Sequence, residues 1–315
     1  MKFAVIGNPI AHSLSPEIHL AFAAQVGLEI TYDRILSAPS DFHSTAQDFF
    51  TAHGIGLNVT APFKQDAFKF ATENDSASKA AGAVNTIHAT DGVYLGYNTD
   101  GIGLVADLTR LGWPLQQAKI LVIGAGGAAQ GIVLPLLNQG AELFLANRTR
   151  ARAEALKEQF PKIEVLGLEQ LSRGWDIVIN ATAAGWQQQQ LPVPSETFED
   201  ARCYDLVYQR DSRTPFIQQI ESYAGDTSDG LGMLVEQAAE AFRIWHDVKP
   251  QTNSVLNALR NPKRQFISGA ECPRCGNQDT IYVERDLLGT ATLRACHACN
   301  YSEDMEGNVS VELQK

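Results

Sequence analysis

Lys119-Ile120-Leu121-Val122-Ile123-Gly124-Ala125-Gly126-Gly127-Ala128-Ala129 decides the fold. The apolar run 120–123 reads as a buried strand, and the periodic stretch 128–139 as the helix that follows it. Between them Gly124, Ala125, Gly126, Gly127 and Ala128 satisfy G-x-G-x-x-G/A. Glycines there let the backbone approach a pyrophosphate, whose charge then sits on the helix N-terminus. Taken alone the motif is also a tight strand–helix turn; its flanking strand and helix favour the nucleotide reading. Strands at 142–146, 177–180 and 204–207, with a helix at 151–159, continue the alternation. This is a doubly wound, Rossmann-type α/β unit.

The end of the second strand selects the dinucleotide. An NAD site places Asp or Glu about 20 residues beyond the glycines, facing the ribose 2′-hydroxyl. Here the strand runs into Asn147-Arg148-Thr149-Arg150, with Arg152 close by and no acid. Guanidinium groups pair with phosphate in a forked, charge-assisted geometry, so the pattern favours NADP(H) through its 2′-phosphate. Arginines at the solvated start of a helix are the plain alternative.

Upstream, the first hundred residues alternate β-rich and helical stretches. Strands fall at 3–7, 30–36 and 56–59, helices at 16–25 and 41–53, and a hairpin at 84–88 and 93–97. A helix at 101–111 leads out of this second α/β unit. Downstream, 233–245 is a strongly periodic helix and 255–259 a shorter one. The expected organisation is a substrate domain over 1–100, with 239–262 packing back on it. A nucleotide domain spans 101–238, a linker 263–270 and a small appendage 271–315.

The chain is 315 residues long, 44% hydrophobic, with a net charge of −11. That length supports two cores and an appendage. No run of 18 apolar residues occurs, and the start has no signal-peptide layout, so a cytoplasmic soluble protein is expected. The acidic balance argues against a nucleic-acid surface.

Three polar clusters interrupt the apolar runs of the first domain: Ser13-Leu14-Ser15-Pro16, Asn58-Val59-Thr60-Ala61-Pro62-Phe63-Lys64 and Asn98-Thr99-Asp100-Gly101. Ser15 and Pro16 read as N-cap and first residue of a helix. Ser13 is not needed for a cap, and two hydroxyls beside free helix amides make a carboxylate cradle. Hydride reduction of a ketone builds negative charge on oxygen, which a proton donor relieves. A lysine held by an aspartate does this, and Asn58, Thr60 and Asn85 supply hydrogen bonds to hydroxyls. Spacing alone leaves open a solvated Lys64 and an Asp100 that only caps the next helix.

Near the C-terminus Cys272, Cys275, Cys296 and Cys299 form C-x2-C-x20-C-x2-C. Thiolates at this spacing make two knuckles around one tetrahedral ion, as in a zinc ribbon. Structural Zn2+ is expected, with iron as the alternative ion. About 45 residues hold too little core to fold unaided, so metal would supply much of the stability. Over 266–315, four basic residues (Arg274, Arg285, Arg294, Lys315) face eight acids, which makes a docking or oligomer-stabilising role the expected one rather than nucleic-acid binding. Cys203 reads as plain core.

Gly7-Asn8-Pro9-Ile10-Ala11-His12-Ser13-Leu14-Ser15-Pro16 resembles the opening of the shikimate dehydrogenase family. So do the segments Asn58–Lys64, Gly82-Ala83-Val84-Asn85-Thr86, Asn98–Gly101, Asn147–Thr149, Asn180-Ala181-Thr182 and Asp229-Gly230-Leu231-Gly232-Met233-Leu234-Val235-Glu236-Gln237-Ala238. The resemblance runs in family order to about residue 262. It implies NADPH-dependent reduction of 3-dehydroshikimate to shikimate on the route to chorismate, with Lys64 and Asp100 as the acid/base pair. It implies Ser13, Ser15 and Tyr208 for the substrate carboxylate, and Asn58, Thr60, Asn85 and Gln237 for its hydroxyls. Thr182, Leu206 and Gly230 join the nucleotide loop in holding the cofactor, in a cleft with hinges near Gly101 and Gly232. Departures are Ala61 for the family's frequent valine, Ala183 and Ala184 for serines, and Leu206 for methionine. They touch cofactor contacts and spare the acid/base residues. A relative of broader quinate/shikimate specificity, or a ligand-sensing regulatory relative, is the alternative; the missing acid after the second nucleotide strand speaks against the NAD-using quinate branch. The resemblance implies a small-molecule substrate and a monomer or homodimer, with no nucleic acid and no membrane, and it names no partner for the ribbon.

Overall fold

The computed structural model describes residues 1–182, 190–209, 212–299, 301–305 and 309–310. Ala183, Ala184, Asn300 and all but the last residue of the 187–190 glutamine tract lie outside them.

The first sheet contains β1 (Lys2–Gly7), β2 (Thr31–Leu36), β3 (Gly54–Val59), β4 (Glu73–Asn74), β5 (Thr86–Thr90) and β6 (Val93–Tyr97). Their order is β2-β1-β3-β5-β6-β4, parallel through β3 and antiparallel from β3 to β5 to β6. On one face α2 (Phe42–Thr51) and α3 (Lys64–Phe70) bury Phe42, Phe49, Phe50 and Phe63 against Leu57 and Ile87. On the other lie α1 (Ser15–Gln25) and, from far along the chain, α9 (Leu231–His246) and α10 (Thr252–Arg260). They pack Ile18, Phe22, Val235, Phe242, Leu256 and Leu259 together.

The second sheet follows α4 (Ser76–Ala81) and α5 (Asp100–Arg110). It contains β7 (Lys119–Ile123), β8 (Glu142–Ala146), β9 (Glu164–Leu166), β10 (Ile177–Asn180), β11 (Arg202–Asp205) and β12 (Asp226–Ser228). The order β12-β11-β10-β7-β8-β9 is parallel throughout, the doubly wound topology that the glycine loop predicts. Its buried strands carry near-continuous apolar runs, as a sheet covered on both faces requires. α5, α6 (Gly127–Asn138) and α7 (Arg150–Gln159) cover one face, and α8 (Pro215–Ile220) packs on the other.

The third sheet is antiparallel: β13 (Lys263–Phe266), β14 (Ile281–Arg285), β15 (Ala291–Cys296), β16 (Ser302–Asp304) and β17 (Val309–Ser310). Residues 263–266, expected as part of a linker, therefore form its edge strand. Lys263 pairs with Arg285 and Phe266 with Tyr282, and Arg264 reaches the buried Glu284 at 2.8 Å. All four residues are exposed, so no alternation marked them as a strand. Among the described residues, no helix is long and apolar enough to cross a membrane.

Candidate functional site

Lys64 opens α3 at the C-terminal end of β3, and Asp100 opens α5 just beyond β6. Register brings the two together: β3 and β5 pair Asn58 with Thr86, and the backbone amide of Val84 donates to the Lys64 carbonyl at 2.9 Å. Lys64 Nζ then donates to Asp100 Oδ2 at 2.5 Å. The Asp100 carboxylate does not cap its helix. Thr99 is the N-cap residue, and Asp100 Oδ1 accepts instead from Asn85 Nδ2 at 2.8 Å. Asp100 is buried and Lys64 partly exposed, so the ammonium borders solvent while its partner does not.

Asn85 is the hub of the surrounding network. Its Oδ1 accepts from the backbone amide of Thr99 at 2.9 Å and the Thr86 hydroxyl at 3.0 Å. Its Nδ2 lies 3.3 Å from Gln237 Oε1, whose amide nitrogen is fixed to the Leu234 carbonyl. Asn58 Nδ2 donates to Thr86 Oγ1 at 3.0 Å, and its Oδ1 accepts from the Tyr32 hydroxyl at 2.6 Å. Both asparagines are almost wholly buried, so each is held in one orientation by partners that satisfy it. Thr60 directly follows β3 and is half-buried.

The serine pair is arranged differently from the capping expectation. Leu14 is the N-cap residue of α1, with Ser15 and Pro16 as its first two residues and no side-chain cap. Ser13 Oγ donates to Ser15 Oγ at 3.2 Å and accepts from the Ser15 amide at 3.3 Å. Arg34 clamps the Ser13 carbonyl from outside through Nη2 at 2.6 Å and Nε at 3.0 Å. The two hydroxyls thus face each other at a helix start instead of being consumed by it. Tyr208 and Leu14 share one apolar cluster, which places the tyrosine on the same side of the cleft.

In the second domain Gly124 takes φ +122°, a conformation open to glycine, and the chain turns there from β7 into α6. Gly126 is the N-cap residue of α6, so the first amides of Gly127 and Ala128 stand free at the positive end of the helix. A cavity of about 350 Å³ opens here, lined by Gln65, Ala125, Gly126, Gly127, Gln130 and Arg152 among others. Asn147 Nδ2 holds the Thr149 carbonyl at 2.8 Å, bending the chain into α7 so that Arg152 meets the cavity. Arg148 is exposed beside that turn and does not line the cavity. Thr182 donates to Asn180 Oδ1 at 2.8 Å, next to the Gly124 turn. Gly230 donates its amide to the Val207 carbonyl at 3.0 Å, seating the start of α9 against the loop that carries Leu206. Free amides, an arginine and an open groove suit a dinucleotide with an extra phosphate.

Tyr32, Arg34, Gln65, Thr86, Thr99 and Gln130 are the site residues that sequence reasoning missed. Thr86 and Thr99 lie inside motifs of the resemblance; the others act only through strand register and domain approach, for which no local signal exists.

In the third sheet the four cysteine sulfurs lie within 4.8 Å of one another, with Cys272–Cys299 at 3.6 Å and Cys275–Cys296 at 3.8 Å. A tetrahedral ion with zinc–sulfur bonds of ~2.3 Å needs sulfurs about 3.8 Å apart, so the four residues fit one. The amides of Arg274 and Ala298 point at Cys272 and Cys296 Sγ, each at 3.4 Å, as knuckle turns require. Buried Cys203 takes no part; burial pushes its thiol up to about 12.

Three family profiles cover the first two domains: shikimate dehydrogenase substrate binding domain over residues 5–87, shikimate / quinate 5-dehydrogenase over 108–193, and shikimate 5′-dehydrogenase C-terminal domain over 230–260. Residues 262–315 match a family described as probable metal-binding protein. Shikimate dehydrogenase (NADP(+)) of Legionella pneumophila (strain Corby) is 46% identical over 262 residues, covering 82% of this chain and 98% of that one. The same enzyme of Bordetella avium is 48% identical over 271 residues, covering 82% and 95%. The crystal structure of shikimate 5-dehydrogenase from Thermus thermophilus with NADP(H) and shikimate superposes with a TM-score of 0.76 at 33% identity, covering 82% and 98%.

Proposed function

The chain belongs to the shikimate dehydrogenase family, and from that premise we propose which of its residues carry the reaction and what the appendage binds. The protein is an NADP(H)-dependent oxidoreductase acting on a CH–OH group. NADPH supplies a hydride to the carbonyl carbon of the substrate when bound. Lys64 is the acid in that direction: its ammonium gives a proton to the carbonyl oxygen as charge develops there, and the neutral amine takes it back in oxidation. Asp100 holds Nζ in place, while Asn85 orients the carboxylate. The 2.5 Å Lys64–Asp100 contact, anchored by Asn85, is the observation that carries this reading.

Ser13, Ser15 and Tyr208 bind the substrate carboxylate, and Asn58, Thr60, Asn85 and Gln237 read its hydroxyls. The glycine loop Gly124–Ala128 and the start of α6 hold the pyrophosphate. Asn147, Arg148, Thr149 and Arg152 surround the 2′-phosphate, and Thr182, Leu206 and Gly230 border the nicotinamide. Cys272, Cys275, Cys296 and Cys299 hold a structural Zn2+, supported by the sulfur spacing. Four thiolates kept for a metal suit the reducing cytoplasm.

Initial rates of shikimate oxidation with NADP+ and NAD+, and of quinate oxidation, test the substrate and cofactor. The Lys64→Met variant tests the chemistry. Its kcat should fall by about 10²–10⁴-fold, the usual contribution of a positioned proton donor, with the Michaelis constants changing far less. Full turnover by Lys64→Met would remove lysine from the acid/base role.

A further inference from the structure

The third sheet carries its cysteine knuckles at one end and a built turn at the other. Between β14 and β15, the Asp286 carboxylate accepts from the amides of Leu288 at 2.9 Å and Thr290 at 2.8 Å. Arg285 Nη1 donates to the Gly289 carbonyl at 2.9 Å, and the amide of Asp286 donates to the Thr290 carbonyl, also at 2.9 Å. Such a turn is fixed by its own hydrogen bonds rather than by neighbours. It presents Leu287, which is half-buried, while Leu288 beside it stays exposed.

Leu287 packs on the apolar cluster formed by α1, α9 and α10. That cluster contains Leu14, which lies between Ser13 and Ser15, and has Tyr208 packed against it. A second tie runs through the chain. β13 begins three residues after α10 ends, and Arg260 at the end of α10 reaches Asp229 at 3.0 Å. Asp229 in turn accepts from the Leu231 amide at the start of α9, next to Gly230. At the opposite end of the sheet, Cys272 and Cys296 pack with Ile281 and Tyr301 into the appendage's own small core.

We propose that the ribbon is a metal-dependent brace for the substrate side of the cleft, in which Leu287 is a positioning residue that steadies the Ser13–Ser15 loop. The inference rests on the assignment of Ser13, Ser15 and Tyr208 to the substrate carboxylate. Metal bound by the four cysteines orders β14 and β15 from one end. The ordered hairpin then seats Leu287 against the apolar cluster of α1, α9 and α10 at the other. Leu287 touches neither substrate nor cofactor, so its effect falls on substrate affinity and on local opening of α1.

The test uses the full-length, zinc-loaded protein and compares Leu287→Ala with wild type. Zinc stoichiometry should remain at one per chain, which separates loss of docking from unfolding of the ribbon. The KM for shikimate should rise about fivefold while kcat and the KM for NADP+ hold within about twofold, the pattern of a lost binding-site support. Amide exchange over residues 14–23 and 252–260 should quicken, with exchange at β7 and β8 unchanged. Chelating the zinc from wild type should produce the same KM rise and the same exchange pattern, and add little to Leu287→Ala. Leu287→Met should restore both. Unchanged exchange in 14–23 and 252–260 after either perturbation overturns the brace, as does faster exchange without a change in KM. The carboxylate assignment is judged separately by Ser15→Ala. An unaltered shikimate KM in that variant refutes the assignment while leaving the exchange result to decide whether the hairpin docks.

Discussion

His19 makes the acid sensitivity of this protein calculable. The imidazole sits on α1 with no exposed surface, stacked on Tyr32 at a centroid distance of 4.6 Å and bordered by Trp245 at 5.1 Å. Neither ring nitrogen reaches hydrogen-bond geometry with a partner among the described residues. Burial lowers its pKa from 6.5 to about 3; nearby His246 adds to the shift and the Asn58 side chain opposes it. Below pH 6.5 the unfolded chain binds a proton at this position and the native state does not. Stability therefore falls as pH falls, by up to about 1.4 kcal/mol per unit until the folded pKa is reached. Between pH 7 and pH 4.5 the loss from this one group is about 3 kcal/mol.

The raw pH profile of the wild type hides that loss. Asp205 runs the opposite way: burial pushes its carboxyl up to about 6, against the hydrogen bonds from Thr214, the Val207 amide and Asn180. The native state then binds a proton that the unfolded chain lacks between pH 6 and its ordinary value, so acid favours folding there by an amount of about 3 kcal/mol. The two groups largely cancel. Replacing His19 by Phe keeps an aromatic ring among Phe22, Tyr32, Phe242 and Trp245 and removes only one of them. Urea unfolding of wild type and His19→Phe at pH 7.0 and 4.5 isolates the difference. The variant should retain about 3 kcal/mol more of its neutral-pH stability than wild type does at pH 4.5. Equal losses in the two proteins would refute the view that His19 is neutral in the fold.

Two further substitutions probe the cofactor groove and the seam between domains. Arg152→Ala should raise the KM for NADP+ by about 10–100-fold, the worth of a charge-assisted phosphate contact, with no such rise in the KM for NAD+; a KM for NADP+ that stays put would take Arg152 out of the phosphate clamp. A methyl group added at Gly232 would collide with the Asp107 carboxylate, whose Oδ1 Arg110 holds and whose Oδ2 Tyr204 holds. Gly232→Ala should therefore lower stability by about 1–3 kcal/mol in thermal unfolding and reduce kcat, whereas a wild-type melting temperature would show that α9 can shift without strain.

The nucleotide domain was legible because its information is local. An apolar strand, a glycine loop and a periodic helix each declare themselves within a dozen residues, and β7, α6, β8 and β10 stand where the pattern puts them. Short polar elements were not legible. β4 is two residues long, α4 six, and β13 exposes every side chain, so none has an apolar period to read. Helix starts shifted by one residue at Ser15 and Asp100, and the shift mattered: each side chain turned out to bind a neighbour rather than cap. The site divides the same way. Lys64, Asp100, Asn58 and Asn85 were visible as polar breaks between apolar runs. Thr86 owes its place to the pairing of β3 with β5, and Tyr32 to the order β2-β1-β3, with Asn58 bridging the two. Such contacts arise between residues 26 to 28 positions apart, where no motif extends.

What joins these parts is the crossing of α5 and α9. Asp107 of α5 is fully buried, yet its charge is met by Arg110 at 2.7 Å and by the Tyr204 hydroxyl at 2.6 Å. Tyr204 belongs to β11 of the nucleotide sheet and also accepts from the Met233 amide of α9 at 3.3 Å. A buried carboxylate is costly unless every oxygen is engaged, so α5, β11 and α9 have one arrangement that satisfies this one. Four residues beyond Met233, Gln237 meets Thr99 and Asn85 of the substrate domain. One helix therefore takes its position from the nucleotide sheet and reports it to the hub that orients Asp100. The crossing helices fix how the two sheets meet, because Gly103 and Gly232 let their backbones approach where any side chain would collide.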